Sequence, residues 1–336
     1  MRDSTLLDKL LATRDFILTD GATGTGLFEL GLTAGEAPET WNIKHEKKIR
    51  EHYQSFIDSD CDIILTNSFG GNSLRLKLHG LSDKAFLFSK ISAEIGRDLI
   101  NKSNKEVILA GSVGPTGELI KPLGTLNYED AVEVFHEQME GLKAGGIDLV
   151  WAETLSDPVE YQAISEAAGL TKIQWCGTMS FDTKGNTMMG FTPSNLVDLI
   201  EQLVFKPIAA GANCGVGPSD LIRTILDFEA AKFPVIAKSN AGIPEFVNGK
   251  IQYSGTPALM AEYAFLARSA GARIIGGCCG TSAKHIKAMR EVLVSRESSR
   301  RPSLKEIESK LGPFSGVPGF RMRKKRNARA RPKFKV

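Results

Sequence analysis

Eight short apolar runs recur between residues 16 and 277, and each is followed by small or polar residues and then by a helix-like stretch. The runs are FILTD (16–20), DIILT (62–66), VILAG (107–111), IDLVWAE (147–153), KIQWCGTMS (172–180), PIAAGAN (207–213), FPVIAKSN (233–240) and ARIIGG (272–277). Runs of this length that are rich in Ile, Val and Leu are typical of strands buried in a parallel sheet. Eight strand–helix units in succession predict an α/β fold, a single (β/α)8 TIM barrel.

The segments between the runs have the periodicity of amphipathic helices. In TPALMAEYAFLARSAG, Thr256 is a candidate N-cap, Pro257 occupies the first turn and Gly271 ends the helix. The structural alternative is a doubly wound open sheet. It is disfavoured because no GxGxxG opens a helix after an early strand, and GATGTG at 21–26 has the wrong spacing for that fingerprint.

The alternating pattern stops near residue 296, which predicts a barrel over 5–296 and a C-terminal extension over 297–336. We expect this extension to be largely disordered, apart from one short helix in LKEIESKLGPF. Nine Lys or Arg and no acid lie within 321–335, so the formal net charge of +3 becomes −6 without them. Such a tail could bind nucleic acid or an acidic partner, but Phe334 is its only aromatic residue. A solvated tail is the favoured interpretation, and nucleic acid is not expected as a partner.

The N-terminus has neither an unbroken apolar run nor a small-residue cleavage site, and no stretch approaches the roughly 18 apolar residues of a membrane span. We therefore expect a cytoplasmic protein that has no membrane partner. Five cysteines, an odd number, argue against a disulfide framework and favour metal binding or catalysis for some of them. The oligomeric state stays open.

In barrels of this type, chemistry takes place at the C-terminal ends of the strands. The predicted strand ends carry polar or thiol side chains, whereas the strand interiors are apolar. The candidates are Asp20, Gly111, Ser112, Glu153, Asn213, Cys214, Cys278 and Cys279. Cys61 and Cys176 lie before or within strands, and we interpret both as core residues.

Cys214, Cys278 and Cys279 fall at two strand ends that only one strand separates. Three thiolates around one point would bind zinc and leave its fourth position open. A thiolate-rich zinc suits a soft substrate atom such as sulfur and would hold it deprotonated. Two alternatives are buried cysteines that act as small hydrophobes, and a redox pair, which is disfavoured because neighbouring cysteines close a strained ring.

Five motifs together resemble the homocysteine S-methyltransferase family over about residues 10–293. They are DGATGT (20–25), TNSFGGN (66–72), GSVGPTGE (111–118), ANCGVGP (212–218) and GGCCGT (276–281). The resemblance implies a (β/α)8 barrel, a zinc ion on Cys214, Cys278 and Cys279, and methyl transfer to the sulfur of homocysteine, which gives methionine. It also implies that Asp20 and Glu153 bind the amino group of homocysteine. Asn213 would orient a metal ligand, and Gly111 and Ser112 would line the floor of the amino-acid site.

The methyl donor is less constrained by the sequence. The motifs EAPE, TNSFGG, GIPEF and YSGTP are similar to those of free-standing bacterial betaine–homocysteine methyltransferases, which favours betaine or another onium donor. A quaternary ammonium prefers an aromatic cage, for which Phe28, Trp41, Phe69 and Tyr253 are candidates. Gly70, however, stands where betaine-using animal members have tyrosine.

TNSFG and APETWN are also similar to the homocysteine module of cobalamin-dependent methionine synthase. The alternatives are therefore a separate corrinoid protein that delivers the methyl group, and S-methylmethionine as the donor. A non-enzymatic alternative, a zinc-holding scaffold, also stays open.

Overall fold

The computed structural model describes residues 5–182, 184–247 and 250–315. Eight parallel strands form the predicted TIM barrel: β1 (Ile17–Leu18), β2 (Ile63–Leu65), β3 (Ile108–Val113), β4 (Leu149–Leu155), β5 (Trp175–Met179), β6 (Ala209–Cys214), β7 (Val235–Ser239) and β10 (Ala272–Gly277). Neighbours in the sheet follow the chain order, with β10 between β7 and β1. A parallel bridge between Thr19 and Ile63 brings β1 beside β2, so the ring closes.

Helices surround the strands. They are α1 (Leu6–Thr13), α2 (Thr23–Glu29), α3 (Trp41–Lys44), α4 (Glu46–Asp58), α5 (Ser73–Lys77), α6 (Ala85–Lys102), α7 (Tyr128–Ala144), α8 (Pro158–Thr171), α9 (Pro193–Gln202), α10 (Pro218–Leu226), α11 (Pro257–Ser269), α12 (Ala283–Ser295) and α13 (Leu304–Leu311). Short 3-10 turns cover Pro38–Thr40 and Ser82–Lys84. Within the described ranges, every helix is too short or too polar to cross a membrane.

The helix starts follow ordinary capping chemistry. Thr256 accepts a hydrogen bond from Leu259 N and Pro257 opens α11, as the sequence predicts. Ser282 and His285 form a reciprocal capping box at the start of α12, which accounts for the histidine that follows the paired cysteines.

The barrel interior is apolar at its N-terminal end and polar at the opposite end. Side chains of alternate residues point inward, so Ile63, Trp151 and Ile236 fill the lower layers, and α1 covers the bottom with Leu7 and Leu10. Cys176 lies in this cluster and Cys61 lies in the outer core, so both are buried core residues. The polar layer above them forms the floor of the candidate site.

A two-stranded hairpin, β8 (Pro244–Val247) with β9 (Lys250–Tyr253), is inserted between β7 and α11. The eightfold pattern of the sequence does not predict it. The hairpin brings Tyr253 to the mouth of the barrel, where its ring packs against Gly280.

The folded unit extends beyond residue 296. Ser303 caps α13, and Ile307, Leu311 and Phe314 are buried against the barrel. Asp220 of α10 accepts hydrogen bonds from the backbone and the hydroxyl of Ser315. The short helix expected in LKEIESKLGPF is present as α13, and it contributes apolar side chains to the core beyond residue 296. The basic run 321–335 lies outside the described residues.

Candidate active site

Three cysteine thiols converge at the C-terminal mouth of the barrel. Cys214 ends β6, and Cys278 and Cys279 follow β10, two strands away in the sheet. Their sulfur atoms all lie within 4.8 Å of one another. Each thiol is partly exposed, whereas Cys61 and Cys176 are buried elsewhere.

Unusual backbone conformations aim these thiols at one point. Cys214 has φ 60°, a left-handed value that costs a non-glycine residue free energy, and Gly215 follows with φ 72°. The other two cysteines are fixed to β7 and to the loop that follows it, since Cys278 N donates to Ser239 O (2.7 Å) and Ala241 N donates to Cys279 O (2.9 Å). A strained residue beside a convergent donor set is a mark of a functional site.

The thiols strongly affect one another's ionisation. Hydrogen bonds from Cys214 and Cys278 lower the pKa of Cys279 to about 3. The pKa of Cys214 is raised far above its usual value, because this thiol donates hydrogen bonds to both partners and lies beside their charge. One thiolate is therefore favoured, and ionisation of the other two thiols is opposed. A bound dication would remove this opposition, because its positive charge stabilises all three thiolates. Three soft donors in this arrangement fit a zinc-type ion with an open position.

Two side chains contact the thiols from outside. Asn213 Nδ2 lies 3.7 Å from Cys278 Sγ, and the same amide group donates to Thr154 Oγ1 and accepts from Thr154 N, both at 2.8 Å. These bonds hold Thr154 in its own left-handed conformation, φ 63°. Tyr253 lies beside Cys279 and helps to lower the pKa of that thiol. Such contacts orient metal ligands and tune their basicity.

A buried charged cluster forms the floor beside the thiols. Lys238 Nζ lies 3.3 Å from Asp20 Oδ1 and 3.8 Å from Glu153 Oε2. Ser112 Oγ donates to Glu153 Oε1 at 2.7 Å, and Leu65 N donates to Asp20 Oδ2 at 2.6 Å. The two predicted acids therefore lie together, but a lysine already accompanies them.

The ionisation of this cluster reflects burial and pairing. Burial raises the pKa of Glu153 to about 7 against the opposing charge of Lys238, and burial likewise raises the pKa of Asp20. Burial alone would lower the pKa of Lys238, but the two carboxylates outweigh it and leave that pKa above its usual value. The lysine is therefore a fixed cation at neutral pH.

A cavity of about 440 Å³ connects these groups. Its inner end is lined by the three thiols, Glu153, Ser112 and Lys238. Glu39, Phe69 and Arg75, which lie in the segments after β1 and β2, also line the cavity, and we refer to these three residues as its outer wall. This volume is in the range of small-molecule sites and accommodates an amino acid together with a second small ligand.

Some predicted site residues lie elsewhere. Gly111 faces Leu142 and Ile147 of the outer layer, so its side-chain direction is away from the floor of the cavity. Of the proposed aromatic cage, Phe69 lines the cavity and Tyr253 contacts a thiol. Phe28 is 55% exposed on α2, and Trp41 is buried in the core. Neither of these two lines the cavity, so they do not belong to a cage there.

Sequence reasoning missed Lys238, Glu39 and Arg75. Lys238 lies in FPVIAKSN, two residues after the inward-facing Ile236. Because strand side chains alternate between two faces, this spacing indicates that Lys238 also points into the barrel. Glu39 and Arg75 belong to loops and short helices after strands, where strand periodicity gives no information.

A family model described as homocysteine S-methyltransferase matches residues 17–293. The chain belongs to the homocysteine S-methyltransferase family. The convergent thiols and the five motifs agree with this assignment.

Two methionine synthases are similar to this chain. That of Mycobacterium tuberculosis is 26% identical over 93% of this chain, and that of Mycobacterium leprae is 25% identical over 95%. The chain spans 28% of the length of either relative. The metallated form of the homocysteine methyltransferase MmuM from Escherichia coli has a TM-score of 0.72 at 22% identity, covering 85% of this chain and 99% of that one. This likeness shows a shared barrel fold.

Proposed function

We propose that the protein is a zinc-dependent methyltransferase that moves a methyl group from an onium donor to the thiolate of homocysteine and forms methionine. The convergence of three thiols with Glu153 and Lys238 in one cavity carries this proposal, and Asp20 lies buried beside Lys238. The five cysteines are free, and metal-binding thiols suit a reducing compartment, so we place the enzyme in the cytoplasm.

Cys214, Cys278 and Cys279 would hold the zinc. When bound there, zinc supplies the positive charge that keeps a substrate thiol ionised at neutral pH. Asn213 and Tyr253 orient the cysteine sulfurs through the contacts described above.

Asp20 and Glu153 would bind the ammonium group of homocysteine. Ser112 directs Oε1 of Glu153, and Oε2 lies 3.8 Å from Lys238 Nζ, in a side chain that lines the cavity. When both carboxylates are ionised, Lys238 offsets one of the two negative charges, and a single substrate ammonium then makes the cluster neutral. Binding energy is then greatest for a ligand with one positive charge at this position.

The transfer itself needs no acid or base from the protein. A lone pair of the thiolate forms the new C–S bond, and the electron pair of the breaking C–N or C–S bond stays on the donor's nitrogen or sulfur, which becomes neutral. An onium donor therefore provides its own leaving group. The protein's contribution is to hold the two reactants in line in the cavity.

A second candidate is the homocysteine-activating subunit of a split cobalamin-dependent methionine synthase. The relatives named methionine synthase favour it, since this chain matches only a part of their length. In that case a separate corrinoid protein would dock at the barrel mouth and deliver the methyl group.

A donor screen on zinc-loaded protein tests the proposal. Homocysteine would be offered with betaine, dimethylsulfoniopropionate, S-methylmethionine or methylcobalamin, and methionine would be measured. We expect turnover with at least one onium donor and none in Cys279→Ala. Transfer from methylcobalamin alone would reject the onium donor and favour the split enzyme.

A further inference from the structure

The outer wall of the cavity contains a buried carboxylate that has no cationic side-chain partner. Glu39 is 3% exposed, and its Oε1 accepts from Gly70 N at 2.7 Å. Among the residues that the structure describes, no Lys, Arg or His forms an ion pair with Glu39, although the charges of His79 and Arg75 act on its carboxyl from farther away. Buried charges in proteins are normally paired or bound to a ligand. An unpaired carboxylate that lines a cavity therefore indicates a site for a cation.

A guanidinium lines the same wall. Arg75 on α5 is partly buried and borders the cavity. Within the described part of the chain it forms no ion pair either, although its charge acts on the Glu39 carboxyl. Two opposite charges thus face one cavity without contacting each other. A ligand that carries both a cation and an anion would satisfy both groups.

The position of Gly70 leaves room for such a ligand. A Cβ atom at this position would lie 3.1 Å from Glu39 Oε1, so a side chain there would crowd the carboxylate. Phe69, the preceding residue, provides an aromatic surface on the same wall. A carboxylate next to an aromatic ring is a favourable environment for a diffuse onium charge.

We propose that this wall is the donor subsite and that it selects zwitterionic onium carboxylates, with the onium group beside Glu39 and Phe69 and the donor carboxylate on Arg75. The inference rests on the proposed onium-dependent methyl transfer and adds the recognition elements. In this chain, the Glu39 carboxylate takes the role that additional aromatic rings would have in a cage around the cation.

The chemistry predicts which kinetic constant each residue affects. Methyl transfer removes the positive charge of the donor, so Glu39 attracts the ground state more strongly than the transition state. Arg75 contacts a carboxylate that does not react, so its attraction is equal in both states. Both residues should therefore lower the KM of the donor without raising kcat.

Matched donors and variants separate these effects. Betaine would be compared with tetramethylammonium, and dimethylsulfoniopropionate with trimethylsulfonium, because each second compound lacks the carboxylate. The variants are Glu39→Gln, which keeps an oxygen acceptor for Gly70 N, and Arg75→Met. Glu36→Gln and Lys77→Met are the controls, since both residues are exposed neighbours outside the cavity. Calorimetric binding of betaine to the zinc-loaded protein gives a readout that is independent of turnover.

We expect wild type to favour betaine over tetramethylammonium by about tenfold or more in kcat/KM, the value of one charge-assisted contact. Arg75→Met should remove that preference through the KM of betaine. Glu39→Gln should raise the KM of both donors about tenfold without lowering kcat, because the lost contact favours the ground state. Both variants should weaken calorimetric betaine binding, and both controls should behave like wild type.

Equal use of the two donor types, together with unchanged KM values in both variants, would overturn the subsite while leaving onium-dependent transfer intact. Absence of transfer from every onium compound, with methylcobalamin active, would instead overturn the proposed function and the subsite with it. A loss of kcat alone in Glu39→Gln, with betaine binding unchanged, would also reject the subsite, because it would assign Glu39 a role in loop structure.

Discussion

Lys238 Nζ lies 3.3 Å from Asp20 Oδ1 inside the barrel, and both side chains are 2% exposed. A fully buried ion pair is costly to form and is more costly to break on one side. Here the pair has a third member, Glu153, and borders the cavity that contains the thiols. The floor of the site is therefore a charge-balanced unit and not a free acidic pair.

Replacing Lys238 with Met should leave two uncompensated carboxylates in the barrel. We expect a loss of about 3–5 kcal/mol in the free energy of unfolding, measured by urea denaturation at pH 7. The double variant Lys238→Met with Asp20→Asn should recover part of that loss, since it removes one of the two charges. Equal stabilities of the single variant and wild type would contradict the charge-balance interpretation.

Removing any one metal-binding thiol should abolish zinc binding. In Cys214→Ala, Cys278→Ala and Cys279→Ala we expect less than stoichiometric zinc and no methionine formation, with an unchanged circular dichroism spectrum. Cys61→Ala is the control, because this thiol is buried in the outer core and donates to Phe56 O. Full activity in any of the three variants would rule out the three-thiolate site.

His52, which lies outside the candidate active site, should make the free energy of unfolding depend on pH. Burial lowers the pKa of His52 to about 4, below its usual value near 6.5. The unfolded chain therefore binds an additional proton between these values, so the free energy of unfolding should fall as pH decreases from 6.5 to 4, by about 3 kcal/mol. His52→Gln should flatten this dependence in denaturation curves, whereas the exposed His79→Gln should not.

The extension should have two parts with different effects on stability. Truncation after residue 315 should leave the thermal midpoint unchanged. Truncation after residue 302 should lower it, because Ile307, Leu311 and Phe314 lose burial worth about 1.5–3 kcal/mol each. Equal midpoints of the two truncated proteins would show that α13 adds nothing to the core.

The barrel and the convergence of the three cysteines were predictable from the sequence, because the first is periodic and the second is chemically distinctive. Eight apolar runs have a spacing that few folds share, and adjacent thiols between glycines have few other uses. The hairpin that carries Tyr253 escaped prediction because it interrupts the repeat. The outward direction of Gly111 was also missed, since a strand end alone does not say which face a residue occupies.

Long-range partners were the least predictable part of the site. Lys238 and Asp20 are 218 residues apart in sequence, and only closure of the barrel brings β7 and β1 together around one cavity. Glu39 and Arg75 both line the cavity, but only the folding of the loops after β1 and β2 brings them there. Trp41, an attractive cage residue in the sequence, is instead buried at the start of α3 beside Lys48, whose Nζ lies 4.7 Å from the ring centroid.

Zinc K-edge X-ray absorption of the zinc-loaded protein, with and without homocysteine, tests the central claim most directly. We expect three sulfur ligands at about 2.3 Å from zinc in the free enzyme, and four after homocysteine is added. An unchanged number of sulfur ligands in the presence of saturating homocysteine would contradict the claim that the three thiols form an open site for the substrate thiolate.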